Sequence, residues 1–213
     1  MIRVLLPVLA LLAAVPAAPA LADEAGDFDY YVLSLSWSPN WCALTGDARA
    51  SPQCDGSGNS GWVLHGLWPQ YEQGWPADCF SGHAPPSRRQ TEAMADIMGT
   101  SGSAWHQWNK HGSCSGLSPA DFYALARAAY ASVLLPPVFM ALDDPVALPA
   151  SVVEEAFLQD NPALQADGIT ITCDRGYIQE ARICLTRELA PRPCAPDTRR
   201  DCTLDDALLD PVR

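Results

Sequence analysis

Beyond its first 22 residues the chain has no apolar run long enough to span a membrane, and it is poor in positive charge, in histidine and in closely spaced cysteines. A spanning helix needs roughly 20 apolar residues, and the opening stretch MIRVLLPVLALLAAVPAAPALA is cut by Pro16 and Pro19. Its single basic residue, apolar run and small-x-small ending at Ala20-Leu21-Ala22 instead predict a secretory signal over residues 1–22, leaving 23–213 as the mature domain, with no membrane association after removal. Lys and Arg number 13 against 25 Asp and Glu; Arg3 is the one charged residue of the leader, so the mature part carries a formal net charge of −13. Such a surface repels polyanions at neutral pH. The tightest cysteine spacing, Cys194 to Cys202, is eight positions, too wide for the C-x-x-C pairs of a structural zinc site.

What remains is 191 residues without internal repeats, the size of one domain with its own core. Eight cysteines behind a secretory signal read as a disulfide framework of four bonds, with roughly a hundred pairings open. From Phe28 to Trp37 the sequence alternates, with Tyr31, Leu33, Leu35 and Trp37 on one parity and Ser34 and Ser36 on the other, which predicts a half-buried strand. A second strand is predicted over Gly61 to Gly66, with His65 at its end, and a hairpin over Ile169 to Thr172 and Tyr177 to Leu185 around Asp174-Arg175-Gly176. Helix starts are marked by Ser87 with Gln90, Ser118 with Pro119 and Asp121, and Ser151 with Glu154; Gly99 closes the first. Leu135-Pro136-Pro137 and Ala190 to Pro196 read as turns within the domain. Strands and helices in blocks, without a βαβ rhythm, predict an α+β fold: a mainly antiparallel central sheet with flanking helices, stapled by disulfides.

Gly56 to Gly61 satisfies G-x-G-x-x-G, but it precedes a strand instead of following one, so it reads as a turn and not a dinucleotide site. Trp105 to Cys114, WHQWNKHGSC, is different, since at helical spacing His106 lies over Lys110 and Gln107 over His111. The two histidines are five apart with no glutamate between them, which does not fit the zinc-binding H-E-x-x-H helix. A lone histidine beside tryptophans is more often a packed core residue than a catalyst. Here that explanation must cover two histidines, a lysine and an amide together, with no carboxylate close in sequence to offset buried cations. Trp62 to Gln70, WVLHGLWPQ, adds His65 and Trp68, whereas His83 sits in a Ser-Gly-His-Ala-Pro-Pro loop and reads as a surface residue. Two imidazoles share general base and general acid duty, and a lysine offsets developing negative charge. That set needs no metal and fits attack on phosphorus by a neighbouring hydroxyl, such as the 2′-OH of RNA.

HGLWP at His65 to Pro69 and HQWNKHGSC at His106 to Cys114 resemble the two active-site segments of the ribonuclease T2 family. The similarity extends to DYYVLSLSWSP at Asp29 to Pro39 and ARICLTRELAPRPC at Ala181 to Cys194. The resemblance implies an α+β fold, no metal or other cofactor, and endonucleolytic cleavage of single-stranded RNA through 2′,3′-cyclic phosphates, with little base specificity and best in acid. It implies His111 as general base on the 2′-OH, His65 as general acid on the leaving 5′-oxygen, His106 as phosphate holder and Lys110 as stabiliser of the phosphorane. Trp68 is implied as a stacking platform for a base and Gln70 as a contact that tunes base preference; Trp105 lines a second base site or packs against its helix. The implied disulfides pair Cys42 with Cys54, Cys79 with Cys114, Cys173 with Cys202, and Cys184 with Cys194.

Gln107 departs from the pattern, standing where the family has a glutamate, and a neutral amide neither carries charge nor moves a proton. Retained but altered activity is expected, and a catalytically attenuated RNA-binding or stress-effector protein on the same fold is the alternative. A Trp-rich secreted sugar-binding domain is a remoter rival. The absence of any Asn-x-Ser/Thr acceptor and the Ala/Pro/Arg-rich composition favour a periplasmic or secreted protein, expected to act as a monomer.

Overall fold

The computed structural model describes residues 23–213 apart from Ser57 and Asn59, so the expected leader lies outside the described residues. Alternation along β1 (Tyr30–Trp37) divides the molecule into two sides. Tyr31, Leu33, Leu35 and Trp37 enter the main core, while Ser34 and Ser36 share the opposite face with Tyr30 and Val32. A short α1 (Ser38–Trp41) follows, then β2 (Trp62–Gln70) and the helices α2 (Arg88–Glu92), α3 (Ala95–Met98), α4 (Ser101–Lys110) and α5 (Pro119–Ala131). β3 (Val146–Leu148), α6 (Ala150–Asp160), the hairpin β4 (Ile169–Asp174) and β5 (Tyr177–Leu185), and β6 (Ala207–Leu209) complete the chain.

The described strands form one sheet in the order β2-β1-β5-β6-β3, with β4 also paired to β5. Its pairings are antiparallel except where β6 meets β5 in parallel, Leu208 opposite Tyr177. The fold is α+β. Helices cover the face that carries Leu33, Leu35, Leu64, Leu67, Ile171 and Ile183, and supply Trp108, Phe122 and Phe157 to the same core. Fully burying an aliphatic or phenyl side chain of this kind contributes roughly 1.5–3 kcal/mol. No helix among the described residues is long and apolar enough to cross a membrane.

Three local expectations need correction. Strand β2 runs on to Gln70 instead of stopping at Gly66, because it is an edge strand and tolerates Pro69, which cannot donate to a ladder. Ser151 is not a cap: Pro149, with its backbone at φ −58°, precedes the helix, and Ser151 lies inside its first turn. Gly99 ends α3, not the segment that Ser87 starts, since Ala93 and Met94 interrupt the run. Ser87 and Gln90 do form a reciprocal capping box, and Ser118 accepts from the Asp121 amide.

Four disulfides join Cys42 to Cys54, Cys79 to Cys114, Cys173 to Cys202 and Cys184 to Cys194. The second ties the loop before α2 to the turn after α4. Near the chain's end Asn40 donates to the carbonyls of Ile178 (2.7 Å) and Leu208 (3.0 Å) and accepts from the Asp210 amide (2.9 Å), fastening β6 to β5.

Candidate active site

Register places the first histidine. Ser34 of β1 faces Gly66 and Leu35 faces Leu64, so His65 is the extra residue of a β-bulge. Without the bulge His65 would share the parity of Leu67 and point into the core. With it, Leu64 and Leu67 both stay in the core while His65 turns to the polar face and bonds through Nδ1 to Glu180 Oε1. Gly66 is required beside it, because a Cβ there would collide with Trp68 Nε1 and Gln107 Oε1.

Helix α4 places the rest. Ala104, Gln107, Trp108 and His111 fall at helical spacing on its buried stripe, while His106 and Lys110 occupy the exposed ridge. His111 stands one residue past the last turn, at φ −123°, as its C-terminal flank. Gln107 is buried and accepts the Trp68 indole N–H at 2.8 Å, which locks strand and helix together. Tyr123 of α5 braces α4 from behind by donating to the Ala104 carbonyl at 2.9 Å.

Trp68 packs against both imidazoles, its ring centroid 5.2 Å from that of His65 and 5.2 Å from that of His111. On one side a pocket of about 260 Å³ is lined by Trp68, Gln70, Trp75, Lys110, His111 and Asp197, among others. On the other a groove of about 770 Å³ is lined by His65, His106, Gln107, Gln179 and Glu180, among others. Gln70 is buried and donates to the Pro69 carbonyl at 3.0 Å. Trp105 is 45 % exposed and lines neither hollow; His83 is exposed.

The two histidines sit in opposite electrostatic settings. Burial pushes the His111 imidazole down to about 3, and the neighbouring cations Lys110, His65 and His106 push the same way; its Nδ1 has no hydrogen-bond partner. His65 faces Glu180, whose carboxyl burial alone would raise but which the hydrogen bond and charge of His65, then Arg182, hold well below the usual carboxylate range. Arg182 donates to Glu180 Oε2 through Nε at 2.8 Å and lies over the Trp68 ring, 5.3 Å from its centroid. Among the described residues no group of three or more His, Cys, Asp or Glu side chains is placed to hold a metal ion.

The model of the Ribonuclease T2 family matches residues 28–194. The chain belongs to the ribonuclease T2 family. It is 47 % identical over 103 residues to a ribonuclease of Aeromonas hydrophila (48 % of this chain, 45 % of that protein), and 32 % identical over 130 residues to a probable ribonuclease of Haemophilus influenzae (54 % and 47 %). The matches thus span about half the length of these relatives. The fold is similar to that of an RNase-related protein from Calystegia sepium, with a TM-score of 0.64 at 15 % identity over 87 % of this chain and 97 % of that one. RNase NT, solved in complex with 5′-AMP, gives a TM-score of 0.60 at 16 % identity over 88 % of this chain and 100 % of that one.

Within this T2 fold the two segments singled out in the sequence meet at the β2 edge of the sheet, where Trp68 of one bonds Gln107 of the other. Glu180, Arg182, Trp75 and Asp197 were not anticipated. The first pair had a signal: Glu180 and Arg182 share one parity of the strand, opposite Ser36 and Ser34. Asp197 lies beyond the matched span, its Oδ2 accepting from the Gly74 amide at 2.6 Å and its Oδ1 buried without a partner.

Proposed function

We propose that the chain is an endoribonuclease that cleaves single-stranded RNA by metal-free transesterification. The observation that carries the reading is the pair of imidazoles packed against Trp68, one lining each hollow. A nucleoside stacked on Trp68 in the smaller pocket presents its 2′-OH to His111, and the leaving nucleoside lies in the groove beside His65. His111, neutral down to about pH 3, takes the 2′-OH proton as the 2′-oxygen bonds to phosphorus. His65 donates a proton to the departing 5′-oxygen, giving a 2′,3′-cyclic phosphate and a free 5′-hydroxyl. Lys110 offsets the charge of the phosphorane, and exposed His106 holds the phosphate from the groove side. Trp68 offers a face to any base, and Gln70 tunes preference.

Incubation with RNA should leave 2′,3′-cyclic phosphate ends with or without chelator, and His65→Ala or His111→Ala should abolish them; loss on chelation alone would overturn the metal-free route. The proposed setting is a monomer exported to the periplasm or beyond, after removal of residues 1–22. Gln107 favours one second reading, an attenuated RNA-binding relative of the enzyme, because its carbonyl is committed to Trp68. Gln107→Glu separates the two: a large gain in turnover means attenuation, little change dismisses it.

A further inference from the structure

We propose that Glu180 is a positioning residue for His65, and that with Arg182 behind it Glu180 makes His65, and not His111, the proton donor of the reaction; this rests on the general-acid role proposed above. Glu180 is 2 % exposed on β5, opposite Ser36 of β1 and Thr172 of β4, one strand removed from β2. The bulge in β2 carries the His65 ring across β1 to reach it.

A buried carboxylate is costly unless both oxygens are satisfied. Here Oε1 takes His65 Nδ1, and Oε2 takes Arg182 Nε at 2.8 Å and Nη2 at 2.6 Å. An ionised carboxylate only accepts, so the ring proton stays on Nδ1 and Nε2 is the nitrogen that serves the substrate. Arg182 keeps the carboxylate charged when His65 is neutral. When His65 is protonated, its charge is matched at contact. His111 has no such partner: Lys110, His65 and His106 are the charged groups acting on it, and each disfavours a second positive charge. Of the two imidazoles, therefore, the proton resides on the one that Glu180 backs. The bland alternative is that Glu180 merely fastens β5 to β2.

A pair of substrates separates these roles. A dinucleoside phosphate has a 5′-alkoxide leaving group that needs a proton; a nucleoside 3′-(4-nitrophenyl phosphate) has one that departs without it. Glu180→Gln should lower kcat on the dinucleotide by about 10- to 100-fold, taking as scale the loss seen when the carboxylate partner of a metal-bound histidine is removed, with KM within about twofold and partial recovery in Glu180→Asp. On the nitrophenyl ester the loss should be under about threefold. Equal losses on both substrates, or none on the dinucleotide, would overturn the proposal. His65→Ala run on the same pair tests the underlying role: equal losses there mean that His65 is not the acid, whatever Glu180 does. If the Glu180 variants do not fold, nitrogen-15 spectra of the unaltered protein still decide, since a neutral His65 carrying its proton on Nε2 would sink the idea.

Discussion

The setting of His111, the proposed base, is made by helix phase. The residue completes the buried stripe of Ala104, Gln107 and Trp108, and that burial, joined by three neighbouring cations, holds it neutral to about pH 3. The acid limb of the kcat/KM profile on RNA should consequently fall near pH 3 to 4, well below the ordinary imidazole value of 6.5, and a limb centred on 6.5 would contradict it. Gly66 supports the same arrangement from the strand: Gly66→Ala should push Trp68 off Gln107 and lower kcat/KM by about tenfold, through KM if the indole is the base platform. At this scale the sequence was generous where chemistry clusters locally. The clustering of His106, Gln107, Lys110 and His111 could be read from spacing, but the contact of Glu180 with His65 could not, because the two lie 115 positions apart.

Among elements, the bulge in β2 and the turn after α4 matter most. The alternation of β1 was legible because one face is apolar and the other small and polar. The bulge was not, because HGLWPQ shows no alternation of its own and its register is set by pairing with β1. The disulfide Cys79–Cys114 closes 35 residues of chain three positions past His111, and the Asp78 amide donates to the Lys110 carbonyl at 2.9 Å. Replacing both cysteines by alanine should cost about 3–4 kcal/mol by the loop-entropy relation. RNA cleavage should be lost at lower denaturant than far-UV ellipticity, since the bond anchors α4 and not the sheet; coincident loss, or an active, fully reduced protein, would refute this.

The whole molecule carries a formal net charge of −12, and two buried groups should each cost it stability in acid. Above pH 6.5 His111 is neutral folded or unfolded; as pH falls from 6.5 towards 3 the unfolded chain takes up a proton that the folded chain refuses, and stability declines. Glu180, lowered in the fold, contributes stability above its ordinary value of 4.5 and loses it as pH falls towards 2. Denaturation free energy should drop by on the order of 3 kcal/mol between pH 6.5 and about pH 4 from His111 alone, and His111→Asn should flatten that slope. Activity should show a shallow dependence on salt, because few cations meet phosphate. Fold class was readable at this scale because blocks of strand and helix are a global pattern; the joining of β6 to β5 through Asn40 was not, since one amide and two carbonyls leave no trace in composition.

The distance along the chain between His65 and Glu180 also sets a timetable for synthesis. A nascent polypeptide that has delivered both signature segments, even through Cys114, still lacks the strand whose Glu180 bonds its first histidine. In the proposed mechanism full catalytic competence therefore comes only late in synthesis, after most of the chain has been made.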